Sequence, residues 1–182
     1  MKKMAEFKER KFDFEDAVIY YKEASENYSL EKHHSTSSTK CLLKAAELSS
    51  LMFDEPDKLK NAIKIYDETG REYLRNNLMR FSAKTLFVKA TMIYFLLEDD
   101  VGAEKALIDY SGEDSSLNNS TEYRFIKKVV QAMREGDKEK YEIECSELNK
   151  RMTLDKWWLK VLSKVKTLIK GTDNVIEDFN PL

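Results

Sequence analysis

Three matching segments, each with an alanine followed four residues later by a tyrosine, recur along this chain at nearly constant intervals. Ala17 and Tyr21 lie in AVIYYKE, Ala62 and Tyr66 in AIKIYDE, and Ala106 and Tyr110 in ALIDY, separated by 45 and then 44 residues. A second motif repeats at the same distance, with Lys40 of KCLLKAA and Lys84 of KTLFVKA 44 residues apart. Residues four apart share one face of a helix, so a small side chain beside a large one lets a neighbouring helix approach closely and then fixes it. A fixed period of this length means stacked helical hairpins. The expected fold is all-α: a TPR-like right-handed α-solenoid of antiparallel helical hairpins with a carboxyl-terminal helical cap.

Residues 40–70 read as the organising hairpin, turning at Asp54-Glu55-Pro56-Asp57. Pro56 has no amide hydrogen, which suits the first turn of the second helix. Gly70 is expected to stop that helix. Five Gly and two Pro in 182 residues interrupt the chain rarely. Residues 1–171 are therefore read as one helical repeat domain, with 119–171 its carboxyl-terminal part and 172–182 an acidic, flexible tail.

Before the hairpin, Phe14, Ala17, Val18, Tyr21, Ala24 and Tyr28 form an amphipathic stripe, capped by Asp13. Residues 1–10 are charged, and either they are the remnant of a first helix or the chain begins partway through a longer array. Ser35–Ser38 reads as a loop capping the helix from Lys40. After the hairpin, residues 78–97 take Phe81, Leu86, Ala90, Ile93, Tyr94 and Leu97 as apolar positions, and Glu98-Asp99-Asp100 opens the next turn. Gly102 permits a close helix crossing. Residues 111–121 read as an exposed loop. Gly136-Asp137 splits the next pair of helices. The last, residues 153–170, is capped by Thr153 and has an unbroken apolar face including Trp157, Trp158, Val161 and Val165, with lysines opposite. It is expected to cover the last repeat. The alternatives are a helix that enters a calmodulin-like groove and a membrane-surface helix, which requires an accessible tryptophan.

Net charge is −2, from 31 basic and 33 acidic residues. That balance offers no global attraction to nucleic acid, so electrostatic recognition must come from local patches. Adjacent His33 and His34 have no ligand partners at metal spacing. No phosphate-binding, dinucleotide-binding or nucleophile-elbow motif occurs. The reading is a binding protein without metal, cofactor or enzymatic chemistry. Two cysteines, with no signal peptide and no long apolar run, point to a reducing, intracellular setting.

Several segments carry a more specific likeness. KCLLKAAELSS, AIKIYDETG, RFSAKTLFVKA, GDKEKYEIECSEL and MTLDKWWLKVLSKVKTLIK occur in this order and resemble the alpha type of the soluble NSF attachment protein family. RFSAK and LDKW are the sharpest pieces, and the resemblance runs from about Met4 onward. It implies an adaptor that lays a curved helical sheet against the syntaxin-type SNARE four-helix bundle and recruits the AAA ATPase NSF. On this chain Lys40, Lys44, Arg80 and Lys84 match or adjoin basic SNARE-facing positions, and Leu78 an apolar one. Glu98 or Asp99, Glu135 and the terminal Leu182 match NSF-facing positions. The setting it implies is cytoplasmic and peripheral on membranes. Three departures stand out: the family's amino-terminal repeats, with their membrane-touching loop, have no counterpart, which implies weak membrane association. Thr121 stands where the family has arginine. In the tail EDFNPL, Phe179 precedes Leu182 as the first apolar residue after the acids.

Overall fold

The computed structural model describes residues 1–30 and 35–170. Over those residues the chain is an all-α solenoid of nine helices, with no strand among them. They are α1 (Lys2–Arg10), α2 (Phe14–Ser29), α3 (Ser35–Ser49), α4 (Pro56–Arg75), α5 (Arg80–Leu96), α6 (Asp100–Glu113), α7 (Thr121–Glu135), α8 (Lys138–Arg151) and α9 (Lys156–Leu168). His33, His34 and the tail carrying Phe179 and Leu182 lie outside the described residues.

The alanine–tyrosine pairs do what their spacing demands. Ala17, Tyr21, Ala62, Tyr66, Ala106 and Tyr110 are all buried. The most extensive packing joins α2 to α3 and α4 to α5, so the hairpin read at 40–70 is the looser junction between two tighter pairs. In the first pair, Ala17 and Ala24 share a small core with Cys41 and Ala45, and short side chains on both helices bring the backbones together. A larger core runs from Ala46 through α4 to α9.

Three turns share one construction. Phe12, Glu98 and Gly136 each adopt positive φ (60°, 55° and 68°). Each is followed by an aspartate whose amide reaches back five residues, Asp13 to Lys8, Asp99 to Tyr94 and Asp137 to Ala132. The helix thus ends in a Schellman motif and the next one begins at once, since Asp13, Asp99 and Asp137 accept a hydrogen bond from the backbone N–H three residues on. Only Gly136 enters that conformation freely; for Phe12 and Glu98 it costs about 1–2 kcal/mol each.

Gly70 does not stop α4, which continues to Arg75. Its missing side chain is needed by a neighbour: a Cβ there would lie 2.6 Å from the Phe87 ring of α5. That ring in turn stacks on Tyr110 with centroids 4.3 Å apart. Gly102 serves the close approach its position suggested, because a Cβ would meet Tyr94 of α5 and its own capping carboxylate, Asp99. Ser35–Ser38 is already helical, and Ser38 binds Ser25 of α2 through its hydroxyl and its carbonyl instead of forming a loop. Phe81 is not a core residue but 90% exposed. The expected loop at 111–121 is shorter than its composition suggests. Its first three residues belong to α6, and Leu117 is fully buried.

The last helix departs furthest from expectation. It starts at Lys156 and is capped by Asp155, whose carboxylate accepts from the Trp158 amide at 2.9 Å, so Thr153 is not the cap. It is not confined to the last repeat. Its apolar face packs on α5 and α8, with Trp157 donating to the Ser50 hydroxyl at the end of α3. Its lysines reach further: Lys160 lies over Phe14 and Lys164 near Phe53 and Asp54, and Lys170, just past the helix, lies beside Glu98. Trp157 and Trp158 are 3% and 5% exposed. Neither meets the accessibility that a membrane-surface role for this helix requires.

Candidate partner-binding surfaces

The basic residues singled out from the sequence fall into two groups. Lys40 on α3 and Arg80 at the start of α5 are exposed, and no carboxylate among the described residues pairs with either. Leu78, in the turn before α5, is 90% exposed, its amide donating to the Asn76 side chain. Phe81, three residues on and equally exposed, joins it. The sequence reading placed Phe81 in the core because it falls on an apolar period. Its neighbours Leu78 and Arg80 were the better signal.

Lys44 and Lys84 are engaged within the molecule. Lys44 pairs with Glu9 at 2.7 Å and with Glu47 at 2.9 Å. Burial works against its charge, but these two carboxylates outweigh it and hold the ammonium above its usual pKa. Glu47 also accepts from Lys89, so one partly buried carboxylate ties α3 to α5. Lys84 pairs with Glu122 at 3.2 Å and ties α5 to α7. The free cationic and apolar surface is therefore narrower than the lysine pattern alone suggests: Lys40, Arg80, Leu78 and Phe81.

The acidic residues gather at the opposite end of α5. Leu78 precedes this 17-residue helix and Arg80 begins it, while Glu98 and Asp99 follow it, which separates the two groups by about 25 Å. Arg134 bonds Asp100 at 2.6 Å and Glu104 at 2.7 Å, bringing the end of α7 to the start of α6. Glu135 thus joins the same end. Each acid already has a task. Glu98 holds the strained turn and pairs with Lys170 at 3.1 Å. Asp99 caps α6 through the Gly102 amide at 2.7 Å. Glu135 accepts from Lys140 and from Gln131, which hold its carboxyl below the usual range.

Among the described residues no group of histidine, cysteine, aspartate or glutamate has the arrangement of a metal site. No helix among them is long and apolar enough to cross a membrane.

Comparison with known proteins identifies the family. The family model described as soluble NSF attachment protein matches residues 1–170. The alpha-soluble NSF attachment protein of Dictyostelium discoideum is 32% identical over 176 residues, covering 96% of this chain and 59% of that protein. The beta-soluble NSF attachment protein of Bos taurus is 30% identical, covering 87% of this chain and 51% of that protein. The vesicular-fusion protein SEC17 of Komagataella phaffii is 31% identical, with 96% and 58% covered. The chain thus spans between half and three-fifths of the length of the curated relatives it matches.

Proposed function

The chain belongs to the soluble NSF attachment protein family, and from that premise we propose that it is an adaptor joining SNARE complexes to the ATPase NSF in vesicle-mediated transport. Lys40, Arg80 and Leu78, with Lys44 and Lys84 beside them, face the acidic four-helix bundle. Glu98, Asp99, Glu135 and the terminal Leu182 face NSF. Separated cations on one surface grip an acidic bundle without demanding one sequence, at an affinity that falls with salt. Residues 1–171 act as one interaction domain, and the protein works in the cytoplasm, peripheral on membranes and weakly held there. Its role is to position two other assemblies, with no bond made or broken at its own residues.

The observation that carries this reading is the separation of two chemically opposite groups along α5. A linker between an acidic bundle and a basic ATPase domain needs such poles, held apart on a rigid element. The reading is tested by pull-down of a purified soluble SNARE bundle at low and moderate salt. Lys40→Glu with Arg80→Glu is expected to weaken binding about tenfold. Undiminished binding by that double variant removes the basic-pole assignment. In parallel, NSF ATPase stimulation by surface-immobilised protein is expected to drop for Leu182→Ala.

A further inference from the structure

Phe12 combines two features that folding alone does not favour. It is a bulky residue in left-handed backbone, at φ 60°, and it is 77% exposed. Left-handed backbone is uncommon for a non-glycine residue, and a phenylalanine this exposed gains little from packing to offset it. Phe12 stands over a cleft of about 550 Å³ between the α1–α2 turn, the end of α3 and the start of α9. Phe14 lies edge-on to it at 6.2 Å, and Trp157 lines the same cleft.

The rim carries surplus positive charge. The carboxylates there are already matched: Glu9 and Glu47 by Lys44 and Lys89, and Glu6 by Lys2. Arg10, Lys156 and Lys160 have no carboxylate partner among the described residues; Arg10 donates to a backbone carbonyl and Lys160 lies 5.2 Å from the centre of the Phe14 ring. The cleft also touches Lys44, one helical turn along α3 from the exposed Lys40. It therefore lies along the same face of α3 as Lys40 of the basic pole.

We propose that this cleft is a second contact for the acidic bundle. An acidic helix of the partner lays its carboxylates against Arg10, Lys156 and Lys160, and an apolar side chain of that helix inserts beside Phe12 and Phe14. The assignment rests on the adaptor reading and adds to it a site formed jointly by the first turn of the chain and its last helix. Phe12 is retained in a costly conformation because its ring serves the partner.

Phe12→Gly separates the two roles, since glycine adopts positive φ without strain. The thermal midpoint is expected to rise by about 2 °C or more, while affinity for a purified SNARE bundle falls about threefold or more. Lys156→Glu with Lys160→Glu is expected to lower that affinity about tenfold at low salt and to flatten its salt dependence. Binding to phosphatidylserine-containing vesicles is measured for the same variants. If bundle affinity is unchanged in both variants but lost with Lys40→Glu and Arg80→Glu, the cleft assignment is wrong and the adaptor reading stands. If the cleft variants lose only vesicle binding, the cleft is a lipid contact and the proposal is overturned. If the unaltered chain fails to bind the bundle at all, the adaptor reading falls and the cleft assignment with it.

Discussion

The indole of Trp157 donates a hydrogen bond to the hydroxyl of Ser50 at 2.7 Å, joining residues 107 positions apart. Around that bond the Lys89 ammonium lies 4.6 Å from the Trp157 ring centre and pairs with Glu47. Trp158 meets Phe125 of α7 edge-on. The last helix is therefore held by a buried polar contact and a cation on an aromatic face, in addition to its apolar stripe.

Trp157→Ala removes all three contributions and leaves a cavity against α3 and α5. It is expected to cost about 3–5 kcal/mol in urea unfolding. Trp157→Phe keeps most of the ring area and loses the bond to Ser50, at about 1 kcal/mol. Equal costs for the two variants would mean that packing contributes little here.

Gly70→Ala tests the close approach of α4 and α5. The added methyl meets the Phe87 ring, which is pinned against Tyr110 and cannot swing away freely. Overpacking of this kind costs about 1–3 kcal/mol. The better helix propensity of alanine, about 1 kcal/mol, opposes it. The net loss is expected to disappear when Phe87→Leu is added, read as non-additivity in a double-mutant cycle. A stabilised single variant would show that the ring yields.

Glu47 sets an acid limit. Burial raises its carboxyl pKa, but the charges of Lys89 and Lys44 and their hydrogen bonds outweigh burial and leave it below the usual value. A group whose folded pKa is depressed contributes stability that is complete above its unfolded pKa, about 4.3 for glutamate. That contribution is lost as pH falls through the lower folded value. Glu47→Gln is expected to cost about 2 kcal/mol at pH 7, with the gap closing steadily between about pH 5 and pH 3. Chemical denaturation across that range checks it, and a pH-independent gap would assign the loss to shape instead of charge.

The sequence carried the fold where one local pattern decides it. The Ala–Tyr pairs marked the buried faces because four-residue spacing is a property of the helix itself. Asp13 and Pro56 marked helix starts for the same reason. Gly70 was misread because a glycine that admits a neighbour's ring and one that ends a helix look alike until Phe87 is placed beside it. The left-handed backbone at two of the three turns stayed hidden, since Phe12 and Glu98 are not residues that announce positive φ. The candidate site divided in the same way. Lys40, Leu78 and Arg80 are exposed as a surface role requires. Lys44 and Lys84 are claimed by Glu9 and Glu122, which lie 35 and 38 residues away in sequence. No window of local sequence contains such pairs.

In an open array of repeats each hairpin touches only its neighbours, and stability accumulates unit by unit, so ends can melt while the middle persists. Here α9 reaches Phe14, Ser50 and Asp54, and Lys170 just beyond it reaches Glu98, which turns a one-dimensional stack into a closed circuit. Opening any hairpin then loosens contacts made by the last helix to the others, and contacts over 107 residues lengthen the search that folding must complete. The molecule is accordingly built to unfold as one cooperative body, and a partner that pulls on one end loads the whole of it.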